Sequence, residues 1–97
     1  MALKTTKFGV QDHLKTLEEQ IAYLEAAIDE DDPSFIATAI GDIAKARGVS
    51  QFAKETGLSR EAIYKSFRPG GNPTIETVHK ATKALGLKLK LARSKAA

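Results

Sequence analysis

At 97 residues, with 42% hydrophobic and 28% charged side chains, the chain has the make-up of one soluble domain, with a small core and little room for a deep enclosed active site. It has no cysteine, which excludes disulfides, thiolate chemistry and cysteine-based zinc sites and is compatible with a reducing cytoplasm. The formal charge of +3 hides a split: residues 1–42 hold three Lys against nine acidic residues, net −6, and residues 43–97 hold twelve Lys and Arg against three Glu, net +9.

Residues 1–13 show no strong period and read as an extended arm. Thr16 and Glu19 have capping-box spacing, in which each side chain satisfies a free backbone N–H of the other. Leu17, Ile21, Leu24 and Ile28 then recur at helical spacing, which predicts a first helix over 17–29 with an acidic outer face. Asp29-Glu30-Asp31-Asp32 breaks the pattern. Asp32 before Pro33 starts a second helix, because proline at the first helical position gives up no hydrogen bond. Its stripe is Ile36, Ile40 and Ile43, and Gly48 stops it.

Ser50 is placed to cap a short third helix over 51–56, closed by Gly57, and Ser59 to cap a fourth over 60–67. Arg68-Pro69-Gly70-Gly71-Asn72-Pro73 is a turn-rich loop. Thr74 caps a fifth helix, in which Ile75, Val78, Thr82 and Leu85 share a face and which Gly86 ends. Leu87-Lys88-Leu89-Lys90-Leu91 alternates strictly, the period of a strand, and a basic tail fills 92–97.

The third and fourth helices meet around Gly57 with almost no linker, the arrangement of a helix-turn-helix. Ala53 lies where one helix presses on the other, Gly57 where the chain turns, and Ile63 points back into the crevice. Phe52, Leu58 and Phe67 complete the buried side. Opposite them Ser59, Arg60, Glu61, Tyr64, Lys65 and Arg68 make one polar stripe. Such a helix fits the major groove of double-stranded DNA. Arg60 (two-pronged to guanine), Glu61 (accepting from the cytosine amino group), Tyr64 and Lys65 are the candidates for base contacts. Gln51, Lys54, Ser59 and Arg68 are the candidates for phosphate or edge contacts. A generic helical hairpin with a charged outside shares each feature singly; the joint spacing of Ala53, Gly57 and Ile63 favours DNA.

Other chemistries lack their residues. His13 and His79 have no ligand partner at metal spacing, and the Asp29-Glu30-Asp31-Asp32 run lacks the glycine-centred loop of a calcium site. Neither a Ser/His/Asp arrangement nor a phosphate-cradling glycine loop is visible. The chain is read as no enzyme, with no catalytic residue, cofactor or metal. No apolar run approaches the roughly 20 residues that span a bilayer, and the first residues lack the apolar core of a secretory signal. The expected location is cytoplasmic, with no membrane partner.

Four stretches, Arg47-Gly48-Val49-Ser50-Gln51, Gly57-Leu58-Ser59-Arg60, Gly71-Asn72-Pro73-Thr74 and Lys83-Ala84-Leu85-Gly86-Leu87, resemble the lambda-repressor-like (Xre/Cro) domain. Tyr23-Leu24-Glu25-Ala26-Ala27, Ala44-Lys45-Ala46-Arg47-Gly48 and Glu61-Ala62-Ile63-Tyr64-Lys65-Ser66-Phe67 are similar to the HigA-type addiction-module antidotes. The stretch from Gly48 to Gly57 is two residues shorter than in most such repressors, so the motif's first helix is short. The resemblance implies an antitoxin that neutralises a RelE-type toxin and represses the shared promoter, as a homodimer. The acidic first helix, with Glu18, Glu19, Glu25, Asp29 and Glu30, is then either a face for a basic toxin or a solvated surface. The strand at 87–91 needs a partner: the N-terminal arm, the toxin or, by preference, a second subunit.

The expected fold is all-α, five helices. A lambda-repressor-like helix-turn-helix domain covers 33–86, an N-terminal arm and acidic helix 1–32, and a short C-terminal strand with the basic tail 87–97. The expected function is sequence-specific DNA-binding repression by the antitoxin of a type II toxin–antitoxin pair. A stand-alone Xre-family regulator without a toxin, and a toxin-binding module without specific DNA binding, are the other readings.

Overall fold

In a computed structural model that describes residues 14–94, the backbone forms five helices and, among those residues, no strand. The helices are α1 (Leu17–Asp29), α2 (Pro33–Arg47), α3 (Val49–Thr56), α4 (Arg60–Ser66) and α5 (Ile75–Ala84). The arm expected over 1–13 and the last residues of the basic tail lie outside the described residues.

Local chemistry sets most helix ends where the sequence places them. Thr16 accepts from the Glu19 N–H at 3.1 Å, and Glu19 Oε1 accepts from the Thr16 N–H at 3.0 Å, so the capping box is closed in both directions. Asp31 turns the chain at φ 60°, and Asp32 accepts from the Ser34 N–H at 3.0 Å ahead of Pro33. Ser59 and Thr74 cap α4 and α5 by accepting from Ala62 and Thr77. Two ends differ. Gly48, at φ 93°, is both the last cap of α2 and the first of α3, so α3 starts at Val49 and Ser50 sits inside its first turn rather than capping it. At the other end of the motif, α4 stops at Ser66 and Phe67 is its cap.

The second helix is the centre of the molecule: α1 packs on it from one side, α3 and α4 from the other, and α5 lies against α3. Ile40 and Ile43 of α2 are fully buried with Phe52 of α3, and Leu14, Leu24, Ile63, Phe67, Ala81 and Leu85 close round them. Burial of each such aliphatic or aromatic side chain contributes about 1.5–3 kcal/mol.

Three expectations about faces are corrected. The α1 stripe is rotated: Leu24 is buried and Ile21 half-buried, while Leu17 and Ile28 stay exposed. The reason is Gln20, which turns inward because both ends of its amide are paired there, to the Leu14 carbonyl and to Arg47. In α5 Val78, Thr82 and Leu85 face inward, but Ile75, on the first turn, is 79% exposed beyond the edge of the core. The strand expected at 87–91 does not form among the described residues. Leu87 folds against the core and donates its N–H to the Thr82 carbonyl, while Leu89 and Leu91 face solvent. Alternation gives a strand only where a second strand supplies the hydrogen bonds.

Candidate nucleic-acid interface

α3 and α4 are joined by Gly57, Leu58 and Ser59 alone. Gly57 takes the left-handed conformation at φ 80°, where a side chain costs about 1 kcal/mol or more. Thr56 steadies the turn, its hydroxyl accepting from the Leu58 N–H at 3.1 Å. Phe52, Ile63 and Phe67 are buried, and Ala53 and Leu58 are packed against the same cluster, so this pair of helices presents one face to the core.

The opposite face is polar. Arg60, Glu61, Tyr64 and Lys65 all project from α4 into solvent, Tyr64 half exposed, and Arg68 follows just beyond its end. Four of the eight candidates thus share one short element, and a fifth follows it. Arg68 is drawn back towards the helix by a bond from its Nε to the Lys65 carbonyl at 3.1 Å. Ser59 has its hydroxyl oxygen engaged as the α4 cap, at 3.0 Å from the Ala62 nitrogen. Lys54 and Gln51 belong to α3. Lys54 is exposed, but Gln51 donates its side-chain amide to Glu55 at 3.2 Å and is part of another group.

That group was missed by sequence reasoning. Arg47, near the end of α2, grips both carboxylate oxygens of Glu55, Nε to Oε1 at 3.0 Å and Nη2 to Oε2 at 3.1 Å. Its third nitrogen, Nη1, donates to Gln20 of α1 at 2.7 Å. One guanidinium thus ties three helices. The Arg47 hydrogen bond, then the bond from Gln51 and the Arg47 charge, hold the Glu55 carboxyl below the usual range against the opposing effect of burial. Partners 8 and 27 positions apart leave no local pattern to read.

Lys45 was missed for the same reason. It lies on α2 but shares a groove with Tyr64 and Arg68, which adds a cation beside the exposed face of α4. Across the described residues, α1, α2 and the turn between them carry most of the acidic side chains and the surface from Lys45 onward most of the basic ones. His79 is exposed on α5, and His13 lies outside the described residues. No helix among them is long and apolar enough to cross a membrane.

Residues 4–93 match the model of a family described as probable addiction module antidote protein. The chain is also similar to an uncharacterised protein of Haemophilus influenzae, 44% identical over 88 residues, which covers 91% of each chain. No solved structure matches it.

Proposed function

The chain belongs to the family of probable addiction module antidote proteins, and we propose that it is a HigA-type antitoxin that reads operator DNA through an Xre-like helix-turn-helix and represses its own operon. The family implies a toxin partner; the reading adds that this toxin is of the RelE type. In it the helix-turn-helix within 33–86 binds DNA, the acidic helix within 1–32 faces the toxin, and 87–97 join two protomers into a homodimer. The unpaired Leu-Lys alternation of 87–91 supports that last role, and two-fold symmetry matches paired half-sites about one helical turn apart.

The observation that carries the DNA reading is the two-sidedness of α4. Ile63 and Phe67 anchor it in the core while Arg60, Glu61, Tyr64 and Lys65 are all left outside. A rigid helix that offers a cation, an acceptor and an aromatic ring from one exposed side has the chemistry to read base edges. The start of α3 has no side-chain cap, so its first-turn N–H groups, beside Gln51, suit a phosphate. Lys54, Lys65, Arg68 and Ser59 add contacts that position without specifying.

The test is binding of the purified protein to its own upstream DNA and to a scrambled duplex at near-physiological salt. A preference of about a thousandfold or more is expected of a specific regulator. Arg60→Ala should then cost about 1–3 kcal/mol on the cognate duplex and much less on the scrambled one. Equal losses on both would contradict a base-reading role for Arg60.

A further inference from the structure

A second surface lies at the other end of α2. An open groove of about 210 Å³ runs between α1 and α2, floored by Ala27, Thr38 and Ala39, walled by Tyr23 and Phe35, with Glu30 on its lip. Phe35 is 47% exposed, although it is among the largest apolar side chains of the molecule. Tyr23 is held upright by a bond from its phenol to Asp42 Oδ2 at 2.7 Å. Burial, together with that carboxylate, raises its pKa to about 12, so the wall is neutral at any physiological pH. The groove is therefore a preformed apolar slot with one aromatic side chain standing open beside it.

Glu30 is the charged residue of its lining, and the stretch of chain that builds it is acidic. From Thr16 to Asp42 the chain holds eight acidic residues and no Lys, Arg or His. Asp29 and Glu30 are exposed and take part in no ion pair among the described residues. The groove beside residues 87–90 differs, because Lys88 and Lys90 line it together with Glu25. An anionic rim round an apolar slot repels a second copy's own acidic rim and any nucleic acid. It attracts a cationic surface that inserts an apolar side chain.

We propose that the α1–α2 groove around Phe35 and Tyr23, rimmed by Glu30, is the docking site for the toxin, taking a Lys- or Arg-rich segment that buries one apolar side chain against Phe35. This rests on the antitoxin reading and names the surface by which that reading works. Because Arg60 and Lys65 lie on α4, outside the lining of this groove, the proposed surfaces for toxin and DNA are distinct, meeting only near Thr38.

The probe is the toxin that co-purifies with this chain from cells carrying the native locus, separated from it and re-bound. Phe35→Ala and Glu30→Lys are each expected to weaken toxin binding at least tenfold. Both side chains are exposed, so thermal unfolding should show the fold retained. Hydrogen exchange on the unmodified complex should slow along 23–30 and 35–39. Slowing confined to α4, or to 87–90, with both variants binding normally, would overturn the groove assignment and leave the antitoxin standing. Slowing at the groove on raising the concentration of this chain alone would make it a homodimer face and would equally overturn the assignment. If no toxin accompanies the chain, the antitoxin reading falls and this site with it.

Discussion

Gly41→Ala is expected to lower the stability of the fold by about 2–4 kcal/mol. Gly41 lies in the middle of α2, where alanine is worth about 1 kcal/mol more than glycine by intrinsic preference. Packing reverses that sign. A methyl group on Gly41 would stand far inside van der Waals contact with the carbonyl oxygen of Phe67. The obstacle is backbone and it is fixed: the Phe67 ring is buried, and its N–H is bonded to the Ile63 carbonyl at 2.9 Å. To admit the methyl, α2 and the end of α4 must separate, which loosens Ile40, Ile63 and Phe67 together. At about 4–8 °C per kcal/mol for a chain of this size, the melting midpoint should fall by about 8–32 °C. Circular dichroism melts read this directly. A midpoint within about 2 °C of the parent would mean that α4 is not seated as described. The same contact fixes where Tyr64 and Arg68 emerge, so any folded Gly41→Ala protein should also bind operator DNA less tightly.

That glycine shows where sequence reasoning stops. Thr16 with Glu19, Asp32 with Pro33, Ser59 and Thr74 act on their own turn of chain, and the helix ends they announce are where the structure has them. The inward set of Phe52, Ala53, Leu58, Ile63 and Phe67 was equally legible, because period and spacing alone decide which side of a short helix is apolar. A glycine inside a helix does signal close approach, but only the fold says to what. Gln20 reads as surface until Arg47 arrives from 27 positions away. The alternation of 87–91 misled because a strand belongs to a pair, and period is a property of one segment. Ser50 misled because Gly48 turns the chain in one residue and the helix starts at Val49, which puts the serine inside the first turn instead of ahead of it. Among the candidate contacts, those on α4 needed only helical spacing. Gln51 needed Glu55 and Arg47 to show that its amide is already engaged.

Arg47→Ala should cost about 2–4 kcal/mol at neutral pH, from two separable parts. Arg47 and Glu55 are a pair with side chains 21% and 25% exposed, so solvent screens them, and their two-pronged contact is worth on the order of 1 kcal/mol. Gln20 is only 4% exposed, and without Arg47 its amide oxygen is buried with no donor, which costs about 1–3 kcal/mol more. Acid separates the parts. The Glu55 pKa is lowered in the folded state, so the pair stabilises above the ordinary glutamate value of about 4.3 and fades as pH falls through the lowered one. The gap between parent and variant in urea unfolding should therefore narrow below about pH 4 without closing, because the Gln20 part does not titrate. Arg47→Lys should recover only part of the loss, since one ammonium cannot grip both carboxylate oxygens and the amide together. A gap that vanished entirely in acid would leave Gln20 no role. A gap independent of pH would leave Glu55 none, and α3 would then be held to α1 and α2 by apolar packing alone. With both parts present, the acidic helix that faces the proposed toxin and the helix that carries Gln51 are fastened through one side chain. On the proposed DNA reading, loosening Arg47 should then weaken DNA binding although its guanidinium is turned to Glu55 and Gln20.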